Sequence, residues 1–92
     1  MDLGIEGRTA LICASSKGLG LACATALARE GCLVFINGRD VARLAAGVAQ
    51  IERTVGKKVT PIQADISEEQ GRAAISAACP EPDILVNNNH GP

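Results

Sequence analysis

Between Thr9 and Glu30 the chain reads T-A-L-I-C-A-S-S-K-G-L-G-L-A-C-A-T-A-L-A-R-E. A strand-length apolar run, Ala10 to Cys13, passes through small and turn-forming residues into Gly18 and Gly20. Leu19, Ala22, Cys23, Ala26 and Leu27 then fall at helical spacing. Strand, glycine turn and helix in immediate succession is an arrangement that receives a pyrophosphate. The unpaired N–H groups and positive dipole end of the helix point at the anion, and the glycines let the backbone approach it closely. The spacing is small-x-x-x-Gly-x-Gly, with Ala14, Gly18 and Gly20 at the key positions and Ser15, Ser16, Lys17 and Leu19 between them. The same pattern also serves a plain strand-to-helix turn, so the rest of the chain must decide.

The elements that would hold this turn can be read in order. The first strand is expected at Thr9 to Cys13, and its helix near Gly18 to Glu30, with Gly31 as a left-handed cap. Leu33-Val34-Phe35-Ile36 reads as a parallel strand covered on both faces, closed by the turn residues Asn37-Gly38-Arg39-Asp40. Val41, Leu44, Ala45, Val48, Ile51 and Val55 make one apolar helix stripe, which Gly56 stops. A third strand follows at Val59 to Gln63. Pro61 puts it at a sheet edge, because proline cannot donate to a ladder, and Ala64-Asp65-Ile66 ends it. Ser67-Glu68-Glu69-Gln70 reads as a capping box opening a third helix, which Pro80 and Pro82 stop after Cys79. Asp83 introduces the last strand, Ile84-Leu85-Val86, which breaks into Asn87-Asn88-Asn89-His90. The predicted order is β-α-β-α-β-α-β, an α/β parallel sheet with right-handed crossovers.

Ninety-two residues make one domain, with no visible linker or second domain. Nine basic residues against ten acidic ones give a near-neutral chain, which argues against nucleic acid or an anionic membrane surface as a partner. No run approaches a membrane span, and the first residues lack the features of a secretory signal. The four cysteines, Cys13, Cys23, Cys32 and Cys79, form no C-x-x-C pair, and His90 is the only histidine. They read as reduced, packed residues rather than metal ligands or disulfides, in a cytoplasmic protein. His90 reads as a solvated histidine.

With these positions placed, the chain resembles the short-chain dehydrogenase/reductase family, and within it the 3-oxoacyl-[acyl-carrier-protein] reductases. The likeness covers only their N-terminal part, up to the loop after the fourth strand. The family's Thr-Gly-x-x-x-Gly-x-Gly is matched by Cys13-Ala14-Ser15-Ser16-Lys17-Gly18-Leu19-Gly20. Its acidic adenine-contact position is matched by Asp65-Ile66, and its Asn-Asn-Ala-Gly by Asn87-Asn88-Asn89-His90. Two departures stand out: Ala14 replaces the first glycine, and Asn89 with His90 replaces Ala-Gly beside the expected nicotinamide ribose. The resemblance implies a Rossmann-type sheet of strand order 3-2-1-4, cut off before the fifth strand. It also implies a dinucleotide bound by residues 14–20, Gly38, Arg39, Asp65, Ile66, Asn88 and Asn89.

Which dinucleotide can be argued from charge. An acid at the end of the second strand would hold the 2′-hydroxyl of NAD(H). The aligned residue is Gly38, followed by Arg39, whose planar fork suits a phosphate. Lys17 adds a second positive charge and Ser15 or Ser16 a hydroxyl, so NADP(H) is expected over NAD(H). Asp40 is expected to turn its carboxylate to the backbone as a helix N-cap. Relatives reduce a carbonyl to an alcohol by hydride transfer, with a Tyr-x-x-x-Lys pair handling the proton. This sequence has no tyrosine. The chain alone is therefore expected to be inactive, a carbonyl substrate belonging to a full-length parent. Apolar Ile84, Leu85 and Val86 on an open edge are expected to drive association. Two other readings stay open: a non-catalytic dinucleotide-binding or regulatory module, and a receiver-type α/β domain. The second would need clustered acids after the first strand, where Cys13-Ala14-Ser15 stands instead.

Overall fold

The computed structural model describes residues 7–13, 18–65 and 67–87. Its elements alternate as predicted: β1 (Thr9–Cys13), α1 (Gly18–Arg29), β2 (Leu33–Gly38), α2 (Val41–Val55), β3 (Thr60–Gln63), α3 (Glu69–Ala78) and β4 (Ile84–Asn87). All three strand pairings are parallel, and the order is β3-β2-β1-β4. This is the Rossmann-type order expected from the sequence, with Pro61 on the edge strand β3.

Alternation along the strands sorts side chains into two cores. Ala10, Ile12, Val34 and Ile36 face α1 and α2, where they meet Ala24, Ala28, Leu44 and Ile51. Ala24 and Ala28 lie one turn apart on α1 and are almost fully buried, so their small side chains let the helix sit close to the sheet. Leu11 and Cys13 face the other way, toward Ile75 and Cys79 of the α3 layer. That second face is less completely covered. Phe35 is only half-buried and Leu33 is 59% exposed, so β2 is not sealed on both sides. α3 is the only helix of the described residues on that face, which leaves the row beyond its footprint open. Leu85 of β4, level with Leu11 in the β1–β4 register, is 61% exposed.

The helix ends follow local chemistry. Gly31 takes φ 94°, and the N–H of Cys32 donates to the Leu27 carbonyl while that of Gly31 donates to Ala28. This double closure is the Schellman ending of α1. Gly56 takes φ 77° and donates to Glu52, ending α2. Asp40 caps α2 by accepting from the Arg43 N–H at 3.0 Å. The capping box expected at Ser67 does not form. The N-cap of α3 is Glu68, one residue later, with no side-chain cap bond, and Ser67 instead joins the Asp65 turn, donating its hydroxyl to that carboxylate.

Asp83 clips β4 to β1. Its carboxylate accepts from the Thr9 N–H at 2.8 Å, its own N–H donates to the Thr9 carbonyl, and Arg8 lies 3.8 Å from it. The ion pair is exposed and contributes little, so the two backbone-linked bonds carry the join. Cys13, Cys32 and Cys79 are buried, and burial is the main cause pushing each thiol up from its ordinary value.

Candidate functional site

Because every pairing is parallel, all four carboxyl ends open on one edge of the sheet. Cys13 sits level with Asn37 on one side and Asn87 on the other, while Gly38 sits level with Gln63. Strands are added outward from β1 to β3 on one side and from β1 to β4 on the other, so the strand order reverses between β1 and β4. Ligands of open α/β sheets bind outside the strand ends at such a switch point. α1 starts there at Gly18. Its first turn carries no acid, so nothing on the helix opposes an anion at its positive end. Gly18 and Leu19 open this turn, and Gly20 is buried within it. Ala14, Ser15, Ser16, Lys17, Ile66, Asn88, Asn89 and His90, all singled out in the sequence, lie outside the described residues.

At the end of β2, Gly38 is buried and Arg39 exposed. A methyl group on Gly38 would meet Leu44 at 3.4 Å or more, an ordinary contact, so no steric need fixes a glycine here. The Asp40 carboxylate is turned back to the α2 N-terminus. Among the described residues Arg39 has no ion-pair partner, and its charge acts on the Asp65 carboxyl.

Asp65 lies just past β3 in a turn of its own making. Its Oδ1 accepts from the Ser67 hydroxyl at 2.6 Å and from the Ser67 N–H at 2.9 Å, and its carbonyl accepts from the Glu68 N–H. The Ser67 hydroxyl and N–H, with the Arg39 charge as a lesser cause, hold this carboxyl below the usual aspartate range. The sign follows directly. A depressed folded value adds stability above the ordinary value of 3.8, and that stability is lost as pH falls through the lower folded value. Removing the hydroxyl with Ser67→Ala is therefore expected to raise the Asp65 carboxyl toward its ordinary value. Carbon NMR titration of the carboxylate would show it, and an unchanged titration would refute the hydrogen bond. The stability gap between the two proteins should close below pH 3.8.

Two residues fix this turn against the sheet. Asn37 is 2% exposed, and its Nδ2 donates to the carbonyls of Ile62 at 3.0 Å and Ala64 at 2.9 Å. Sequence reading placed Asn37 in a turn; it is instead the fifth residue of β2, inside the core. Gly71, in the first turn of α3, rests directly on Asp65. A methyl group there would collide with the Asp65 carbonyl oxygen and lie 2.6 Å from its carbon. The Arg39 and Asp65 turns are also joined. The Ala64 N–H donates to the Gly38 carbonyl at 3.0 Å, and Gln63 Nε2 donates to the Arg39 carbonyl at 2.8 Å. The fold thus brings Gly38, Arg39 and Asp65 into one bonded unit.

This geometry can be set beside known proteins. The short chain dehydrogenase family model matches residues 8–90. The chain belongs to that family. Among curated relatives, this short-chain dehydrogenase is 38% identical over 89 residues to the uncharacterized oxidoreductase YvaG of Bacillus subtilis strain 168, covering 96% of this chain and 34% of that protein. Among solved structures, L-sorbose reductase from Gluconobacter frateurii, complexed with NADPH and L-sorbose, superposes with a TM-score of 0.85 at 34% identity. The match covers 100% of this chain and 36% of that one. A candidate betaketoacyl-ACP reductase superposes with a TM-score of 0.83 at 39% identity, over 92% of this chain and 34% of that one. The chain thus spans about a third of the length of the relatives it matches.

Gln63 and Gly71 were not singled out in the sequence, and Asn37 and Ser67 were read there only as a turn residue and a helix cap. Only Gly71 carried a usable signal, a glycine in the first turn of a predicted helix. Asn37→Ala is expected to destabilise the short-chain dehydrogenase chain by about 2–3 kcal/mol, since it leaves two carbonyls without their buried donor. Urea unfolding would measure it, and a loss under about 1 kcal/mol would show that the amide does not carry the join.

Among the described residues no group of three or more His, Cys, Asp or Glu could hold a metal ion. Nor is any helix among them long and apolar enough to cross a membrane.

Proposed function

We propose that the carboxyl edge of this sheet binds NADP(H), as the nucleotide-binding portion of an oxidoreductase that reduces a carbonyl to an alcohol by hydride transfer. One observation carries the cofactor choice: Arg39 follows a strand end with no carboxylate, and the neighbouring Asp40 is committed to capping α2. A 2′-phosphate there would meet a guanidinium, with no acid at the strand end itself. The NADPH in the sorbose reductase structure supports this reading. The pyrophosphate would lie on the Ala14–Gly20 turn, with Ser15, Ser16 and Lys17 beside it. Asp65 and Ile66 would meet the adenine, and Asn88 and Asn89 would stand toward the nicotinamide end. Asp65 would receive the adenine amino group on Oδ2, since Oδ1 is taken by Ser67. The likeness to a betaketoacyl-ACP reductase favours a 3-oxoacyl thioester as the substrate class.

Thermal unfolding in the presence of adenosine 2′,5′-bisphosphate or AMP tests the phosphate assignment, because a ligand bound only to the folded chain raises its stability. The bisphosphate should raise the midpoint more. Equal shifts would overturn the choice of NADP(H). With no tyrosine in its sequence, the chain is expected to turn over no acetoacetyl thioester, and NADPH-dependent reduction by it would contradict that. Self-association through the open β4 edge and Leu85 belongs to the same reading.

A further inference from the structure

Gln63 is the last residue of β3, and its side chain is exposed, yet its amide is not spent on solvent alone. Nε2 donates to the main-chain carbonyl of Arg39 at 2.8 Å, across 24 residues of sequence. Packing does not pin it there: Gln63 borders an apolar pocket of about 190 Å³ that Val41, Leu44, Ala45 and Pro61 complete. The bond is what fixes the side chain, and through it the backbone at Arg39. The turn is held on its other side by the Ala64 N–H to Gly38 carbonyl bond and by the Asp40 cap. Arg39 is therefore an exposed side chain on an anchored base.

We propose that Gln63 is a positioning residue for nucleotide selectivity, its amide holding the Arg39 carbonyl so that the guanidinium meets a 2′-phosphate. This rests on the NADP(H) reading above. It never touches the nucleotide, so its signature is a change in preference rather than a general loss of binding. Gln63→Leu removes the donor at nearly constant volume, at an exposed site where the fold is expected to survive. NADPH binding should weaken roughly fivefold, the worth of one ordinary hydrogen bond. NADH binding should change less than about twofold, as it has no 2′-phosphate to lose. Hydrogen exchange at residues 38–40 should quicken in Gln63→Leu with or without nucleotide.

Arg39→Ala run in parallel separates the two claims. If Arg39→Ala abolishes the NADPH preference while Gln63→Leu leaves both preference and exchange unchanged, the role of Gln63 is refuted and the phosphate site stands. If Arg39→Ala leaves the preference unchanged, or the unaltered chain binds neither nucleotide, the NADP(H) reading falls and this proposal falls with it. Equal weakening of NADPH and NADH in Gln63→Leu would show a structural role only, and would also overturn it.

Discussion

Gly71→Ala is expected to destabilise the chain by about 3 kcal/mol, although alanine is the better helix former by about 1 kcal/mol. The sign is decided by what the new methyl group would meet. It would enter the carbonyl group of Asp65, which is backbone and cannot swing aside as a side-chain tip can. Either α3 lifts from the sheet or the 64–68 turn moves, and both undo the bonds that hold Asp65 and Ser67. A domain of this size has only about 5–10 kcal/mol of total stability, so the loss is large. Gly56→Ala supplies the comparison. Gly56 has φ 77° with nothing within 4 Å of the added group, so its cost is conformational only, about 1 kcal/mol. Urea unfolding of both variants would rank them. A Gly71→Ala loss no larger than that of Gly56→Ala would show that α3 yields freely and does not fix the Asp65 turn.

Arg39→Ala is expected to weaken NADPH binding roughly tenfold to hundredfold while leaving NADH within about twofold, the range for losing a charge-assisted contact to phosphate. Gly38 offers no acid to a ribose hydroxyl, and the Asp40 carboxylate is bound to the Arg43 N–H. Removing Arg39 therefore removes the guanidinium that would meet the 2′-phosphate, while the Asp40 carboxylate stays with the Arg43 N–H. The effect should shrink at high salt, since an exposed charge is screened. A matched fall for both nucleotides would mean that Arg39 supports the fold or the adenine site instead. No change in either would take the 2′-phosphate away from this turn.

What could be read from the sequence was what local chemistry determines. Gly31 and Gly56 end helices because a left-handed residue is needed there, Asp40 caps α2 over three residues, and Pro61 must sit on an edge strand. The parallel sheet followed from alternation, and its strand order from the family resemblance. The features that build the site were of another kind. Asn37 reaches Ile62 and Ala64 across 25 and 27 residues, and Gln63 reaches Arg39 across 24. Such bonds depend on the β2–β3 register, which puts Asn37 opposite Ile62 and Gly38 opposite Gln63. An asparagine before a glycine reads locally as a turn; only the neighbouring strand makes it a buried clamp. Ser67 shows the same conflict. Its spacing to Gln70 suits a capping box, but Ser67 joins the Asp65 turn and α3 starts one residue later, with Glu68 as its N-cap. Gly71 then sets where α3 begins, since only a residue without a side chain fits against Asp65.

The central claim is that this sheet edge is a dinucleotide site that prefers NADP(H). The most direct measurement is nicotinamide fluorescence during titration of the chain with NADPH and then NADH. The sequence has no tryptophan and no tyrosine, so the protein contributes almost no background. Saturable binding of both, with NADPH clearly tighter, is the result expected of the Gly18 helix start and the Arg39 turn. Binding of neither, or tighter binding of NADH, would contradict the account.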